Sequence, residues 1–318
     1  MDSSSFKFRG RMIKFGLLLA AGSSAFFALR GAAPVAVPVD EYELALDWTI
    51  GKQYVIETTT TTTIGLEPLG RIGDQVVDVK QSTSITVTPG PQPEWKAAKV
   101  SIDAMAATMK VEGRTMSFDS AKPLEGDSDL KQAMGSSVGQ SFVLLYDGAN
   151  QFQRVGDISQ GSPAGAGGQS LVSLANAQQM ADLFRRSMEM ALPLAAVVPG
   201  DTWTSDEKIP FPQAGDMHVK MNCKFDSLVE REGRQHAKIV FDSKLTTVGS
   251  GLAAGARQIG LDEGSTVAGH IFYDLERHTV SLSVFLANLN LNLDGKKVPL
   301  RQNVTTKLES LTNLPAAQ

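Results

Sequence analysis

Cysteine is almost missing from this chain: Cys223 is the single one in 318 residues. No internal disulfide can form, so the hydrophobic core must carry stability unaided. Cys223 does not follow an apolar segment, which excludes a lipid-attachment cysteine of the signal-peptide kind. Histidine is also scarce. The four present, His218, His236, His270 and His278, neither pair at helical spacing nor sit in a metal-ligand pattern, so no metal site is expected. His218 and His236 read as solvated strand residues on the polar faces of a hairpin. After residue 33 there is no apolar run long enough to cross a bilayer as a helix, which takes about 20 residues.

Positive charge is in deficit. The whole chain carries −4. Residues 1–33 hold five bases (Lys7, Arg9, Arg11, Lys14, Arg30) and one acid (Asp2), so the remainder carries −8. That balance gives no electrostatic footprint for nucleic acid. The same 33 residues read as an export signal or an N-terminal anchor, with a basic start and an apolar stretch from Phe15 to Leu29. The expected location is exported, periplasmic or secreted, with inner-membrane anchoring as the alternative. Residues 34–47 read as a linker, 48–311 as a single β-rich domain and 312–318 as a tail.

What is abundant is alternation. The segment YVIETTTTTTIGL holds six consecutive threonines from Thr58 to Thr63. A mucin-like stalk would interleave proline and serine. Here Tyr54, Ile56, Thr58, Thr60, Thr62 and Ile64 share one face of a period-2 pattern, and β-branched threonine favours strands. The next segment sets Val77, Val79, Thr83, Ile85 and Val87 opposite Asp78, Lys80, Ser82, Ser84, Thr86 and Thr88. Long strands with one polar face imply an antiparallel sheet. In the strand that follows, the apolar phase shifts from Val100 and Ile102 to Met105 and Met109, which predicts a bulge near Asp103. Hairpins are expected at residues 147–150, across EREGRQ, near 275–278 and at Asp294-Gly295. A second bend is expected between Leu286 and Leu289.

One segment has helical spacing. Leu174, Ala177, Met180, Ala181, Phe184, Met188, Ala191 and Leu192 recur at i, i+3, i+4 and i+7, predicting a helix over 171–192 that ends at Pro193. A shorter helix is expected over Ser128 to Met134. The fold class is therefore mainly β (α+β): a large curved antiparallel sheet or half-barrel of about a dozen strands, with one long amphipathic helix across its concave face. Lobes 41–158 and 200–311 would flank that helix.

Two catalytic patterns fail on context. GSSVG, residues 135–139, matches the nucleophile elbow, but that motif needs strand, turn, then helix, and here a helix precedes and a strand follows Ser137. GSGLAA, residues 249–254, lacks the βαβ surroundings of a dinucleotide site. Cys223 lies in an apolar row and reads as an inert core thiol. No enzyme activity and no cofactor is expected.

The order of features resembles a family of exported bacterial proteins known as a domain of unknown function. The matching landmarks are Gly51 and Tyr54, the segments GRTMSFDS and LYDGANQFQRVGD, the helix running into LPLAAVVPGDTW, and GHIFYDLERHTVSLSV. They span about residues 48–310 and look like fold landmarks, with Trp203 as a packing anchor. More distantly, a curved sheet with a helix on its concave side is similar to lipoprotein-carrier half-barrels of the LolA, LolB and LppX type. That resemblance implies an acyl-chain ligand inside the half-barrel.

The expected site is apolar. Met105, Met109 and Met116 on strands, with Met180, Phe184 and Met188 on the helix, are the candidate ligand-lining residues, since methionine adapts to irregular apolar ligands. The partner is then a lipid or other apolar ligand. The alternative is a structural or protein-interaction module of the cell envelope or secreted surface. It would bind an envelope protein through the rows Thr59, Thr61, Thr63 and Asn288, Asn290, Asn292.

Overall fold

The computed structural model describes residues 40–122, 125–159, 177–211, 215–248, 259–293 and 295–315. The expected signal segment 1–33, the first part of the expected linker, and the glycine-rich segment 249–258 lie outside them. Residues 40–318 make up one compact unit.

Among the described residues there are thirteen strands. The first half of the chain gives β1 (Lys52–Gly65), β2 (Asp74–Pro89), β3 (Lys96–Val111), β4 (Arg114–Asp119), β5 (Ser141–Tyr146) and β6 (Phe152–Ser159). The second half gives β7 (Thr202–Phe211), β8 (Gly215–Arg231), β9 (Arg234–Val248), β10 (Ile259–Leu261), β11 (Thr266–Asp274), β12 (Thr279–Leu293) and β13 (Lys296–Asn313). The helices are α1 (Ser128–Met134) and α2 (Ala177–Glu189). All strands belong to one sheet in the order β6-β5-β3-β2-β1-β13-β12-β11-β9-β8-β7, with β4 beside β3 and β10 beside β12. Every pairing is antiparallel.

The threonine run is the middle of β1, hydrogen-bonded to β2 on one side and β13 on the other. Asp103 is the bulge expected in β3: Ser82 faces Ala104 and Thr83 faces Ile102. The β3–β4 and β8–β9 turns are two residues long, with both residues at positive φ: Glu112 and Gly113, Glu232 and Gly233. That is the turn whose twist matches the flanking strands, and glycine at its second position removes the steric cost.

Two expectations need correction, and two elements go beyond what the sequence conveyed. β12 passes from Leu286 to Leu289 without a bulge, pairing residue for residue with β13. Its apolar phase changes because Leu282, Val284 and Leu286 face outward; Leu286 is 51% exposed. The part of the expected linker that is described is core: Leu44 and Leu46 are buried, with Trp48 just beyond. Tyr42, Leu44, Leu46 and Trp48 alternate along an extended chain that Tyr42 pins to Val197. No alternation announces β7, because its inward row mixes Trp203 with Ser205 and Glu207. The expected helix over 171–192 is described from Ala177 as α2, 13 residues long; residues 171–176 lie outside those described, and α2 packs beside β5 and β6 with Ala181 and Met188 in the main core.

The sheet is strongly curled. Phe184 of α2 meets Phe142 of β5, ring centroids 5.8 Å apart. Two residues along, Arg186 pairs with Glu207 of β7. β5 and β7 are nine strand positions apart, a distance of about 43 Å in a flat sheet at 4.8 Å spacing. One turn of helix bridges it, so β6 and β7, the terminal strands, approach each other with α2 between them. The sheet stays open, since the described residues show no pairing of β6 with β7.

Curling makes one face concave, and the main core fills part of it. Tyr54, Ile85, Val100, Leu144, Phe225, Ile239 and Tyr273 point inward onto Leu44, Leu46, Trp48, Ala181 and Met188. Trp48 sits edge-on to Tyr54 at 5.2 Å, and the Tyr273 hydroxyl donates to the Ala45 carbonyl. Burying side chains of this size stabilises by about 1.5–3 kcal/mol each.

Candidate functional site: the inward face of the sheet

Register fixes which side chains share the concave face. Ile56 is in the core, so Thr58, Thr60, Thr62 and Ile64 of β1 point the same way. Their neighbours on β2 are Gln81, Val79, Val77 and Gln75. On β13 they are Thr306, Val304, Gln302 and Leu300, which continue to Ser283, Phe285, Ala287 and Leu289 on β12. The core covers the half of this face where β1 begins. Toward the other half, Val79 packs against the cluster of Met105 and Phe118, and Leu289 against Val219 and Leu245, while Ile64, Val77, Leu291 and Leu300 are half-buried and belong to no cluster. The result is an inward surface that is apolar yet incompletely covered by the described residues.

A polar band crosses the centre of this face. The Thr58 and Thr306 hydroxyls lie 3.3 Å apart, and Gln302 Nε2 donates to Thr62 Oγ1 at 3.2 Å. Gln81 Nε2 donates to Thr83 Oγ1 at 2.9 Å. Charges lie on the other side: Lys80 pairs with Glu57 at 2.8 Å on the outward face.

Of the six residues expected to line one site, the five whose side chains are described fall into two clusters. Met105, Met109 and Met116 pack with Ile102, Phe118 and Leu130 beneath α1. Met188 is in the main core, with Phe184 against it. Met180 is on α2, and its side chain lies outside the described residues. Val79 packs with the methionine cluster and Val77 faces Met109 in register; the half-buried Ile64, Leu291 and Leu300 had no signal beyond alternation, since the same pattern marks buried and uncovered rows alike.

α2 carries a polar network into the gap between the terminal strands. Arg185 pairs with Asp182 and Glu189 at 3.0 and 2.9 Å and stacks over the Phe152 ring at 4.6 Å. The Tyr146 hydroxyl donates to Glu189 at 3.1 Å. Burial pushes the Glu189 carboxyl above its ordinary range despite Arg185 and Tyr146, and pushes the Tyr146 phenol up as well.

The remaining candidates lack reaction geometry. Ser137 is buried in a 3-10 turn between α1 and β5. His236 is buried rather than solvated: its Nε2 is 3.7 Å from the buried Asp274, and its Nδ1 is 3.0 Å from the Arg234 carbonyl. His218, half-buried, bonds Asp206 across β7 and β8. Cys223 is 2% exposed, and burial raises its thiol pKa to about 12. Among the described residues no His, Cys, Asp and Glu cluster could hold a metal ion, and no helix is long and apolar enough to cross a membrane. On the convex face, Thr59, Asp78, Lys80, Ser117 and Lys122 border a recess of about 380 Å³. A second, of about 630 Å³, lies beside Trp203, Asn222 and Lys224.

No family model matches the chain, and no curated protein matches it. Among solved structures, one concerned with lipid–protein interactions in lipovitellin is similar over 86% of this chain, at 14% identity and a TM-score of 0.45. This chain spans 26% of that one. DynF from the dynemicin biosynthesis pathway of Micromonospora chersina is similar over 89% of this chain and 88% of its own, at 7% identity and a TM-score of 0.20. OccK7 (OpdD) of Pseudomonas aeruginosa gives 83% and 100%, 7% and 0.20. Likeness at this level carries no functional argument, and none of the three links the chain to LolA- or LolB-type carriers.

Proposed function

We propose that the chain is an exported protein of the cell envelope that holds an apolar ligand or lipid against the concave face of its sheet. One observation carries this reading. The inward rows of β1, β2, β12 and β13 stay apolar beyond the core, through Ile64, Val77, Leu291 and Leu300, where the described residues leave them half-buried. A sheet face that needed only to be wetted would carry polar residues there. An apolar surface flanked by a few placed polar groups is the usual lining of a small-molecule site. The function is binding rather than catalysis, and needs no cofactor.

The test is extraction of the full chain, purified from its expression host, followed by native mass spectrometry. A bound acyl species, removable by organic solvent and regained from liposomes, is expected. A clean apo mass together with no uptake from liposomes would overturn the reading.

The convex face favours a second reading, an interaction module of the envelope without small-molecule ligand. Its recess beside Thr59 and Asp78 and its exposed Leu286 are the features a protein partner would use. A stoichiometric partner recovered by the wild type and lost on Leu286→Asp, with no lipid in the purified protein, would favour it.

A further inference from the structure

We infer that the ligand is an uncharged lipid bearing an ester or hydroxyl group, and that the inward face rejects phosphate- and carboxylate-bearing lipids. This rests on the reading of the concave face as a ligand site, and adds the class of molecule it takes.

The argument starts from charge. Along the inward rows from Tyr54 to Ile64, Gln75 to Val87, Ala98 to Met109, Ser283 to Leu293 and Val298 to Leu308 there is no Lys, Arg, His, Asp or Glu. Glu207 of β7 is a charged inward residue further round the sheet, and Arg186 neutralises it. The outward rows of the same strands hold Glu57, Asp78, Lys80, Lys99 and Lys110, so the chain has charges and places them on the other side. Burying an anion without a cation costs several kcal/mol. An anionic headgroup would find no partner among these residues.

The polar band supplies the second half. Hydroxyl and amide groups hydrogen-bond ester and alcohol oxygens without needing charge. Thr58 and Thr62 are engaged by Thr306 and Gln302. Thr60, between them and half-buried, faces Val79 and Val304, and its hydroxyl has no partner among the described residues. A hydroxyl donor beside apolar neighbours matches an uncharged ester or alcohol oxygen whose acyl chains lie along the apolar rows.

The test compares two fluorescent probes with identical acyl chains, a diacylglycerol and a phosphatidic acid, titrated into the full chain after delipidation. The diacylglycerol is expected to bind at least about tenfold tighter. Thr60→Lys, which places a cation on the inward face, should shrink or reverse that preference; Thr59→Lys, one residue away and outward, should leave it unchanged. Equal binding of the two probes to wild type overturns the inference and leaves the lipid-binding reading standing. Binding of neither overturns both. Should Thr60→Lys fail to fold by circular dichroism, the wild-type comparison decides alone.

Discussion

Arg186 of α2 pairs with Glu207 of β7, while its neighbour Arg185 stacks on Phe152 of β6, so a single turn of helix holds the two terminal strands of the sheet. Both partners of the Arg186–Glu207 pair are partly exposed, which limits its worth to about 0.5–1 kcal/mol. Its effect should therefore be local. Glu207→Arg is expected to leave the urea midpoint nearly unchanged while speeding amide exchange in α2, and Arg186→Glu combined with Glu207→Arg should restore protection. Unaltered exchange in the single variant would refute the bridging role.

Gly269 of β11 sits where no larger residue fits. A Cβ there would lie 2.1 Å from the Val284 carbonyl oxygen and 2.7 Å from the Phe241 ring. Neither the backbone oxygen nor the packed ring can move away. Gly269→Ala should destabilise by about 3 kcal/mol, the upper range for overpacking, read as a drop in the urea midpoint at constant slope. A variant within about 0.5 kcal/mol of wild type would mean that β11 and β12 are spaced differently.

Trp48 tests whether the segment before β1 belongs to the fold. It is 2% exposed and packs on Tyr54 and Tyr146. Trp48→Ala should cost about 3–5 kcal/mol and expose the preceding residues to protease. If those residues were a connecting arm, the substitution would change neither stability nor cleavage.

Asp274 sets part of the acid limit. Arg234 Nε donates to its carboxylate at 2.7 Å, and the Glu276 and Arg277 amides donate at 3.0 and 3.1 Å. Burial would raise its pKa, but Arg234 and the two amides outweigh that and hold it below the ordinary range. A carboxylate depressed on folding adds stability above its unfolded pKa of about 3.9 and loses it as pH falls toward the folded value. Asp274→Asn should cost about 2 kcal/mol at pH 7 and flatten the fall in stability below about pH 4. Urea midpoints from pH 3 to 8 would show it; parallel curves would contradict it.

These residues also mark the limit of what alternation conveys. The period-2 rows of β1, β2, β8 and β9 and the phase shift at Asp103 could be read directly, because each is a local consequence of the pleat. Strand order could not. β1 lies between β2 and β13, and the second pairing joins Lys52 to Asn313, a distance no local pattern encodes. Arg234 and Asp274 meet for the same reason, through the register of β9 and β11. The methionines show it at the site: apolar spacing identified them as inward, but Met105 and Met188 belong to different clusters, a division set by where α1 and α2 lie. The buried arm around Leu44 had the signal of alternation, masked by Glu41, Glu43 and Asp47 between its apolar residues.

Cys223 offers a reporter for the whole fold. Its inward position on β8, between Trp203 of β7 and Phe241 of β9, leaves the thiol 2% exposed. Burial, with Asp242 adding repulsion, raises its pKa to about 12. The thiolate is the reactive species, so at pH 8 both access and ionisation block labelling. The native protein should be inert to a thiol-reactive disulfide for hours, and one thiol should react per chain once urea unfolds it. Because β7 is a terminal strand, opening there alone would also expose Cys223. The labelling rate in low urea then distinguishes the two routes: a rate that tracks global stability means that α2 keeps β7 closed, whereas a urea-independent rate that rises in Glu207→Arg means that the edge opens on its own. Rapid labelling in native buffer at pH 8 would place Cys223 outside the core and contradict the inward phase of β8.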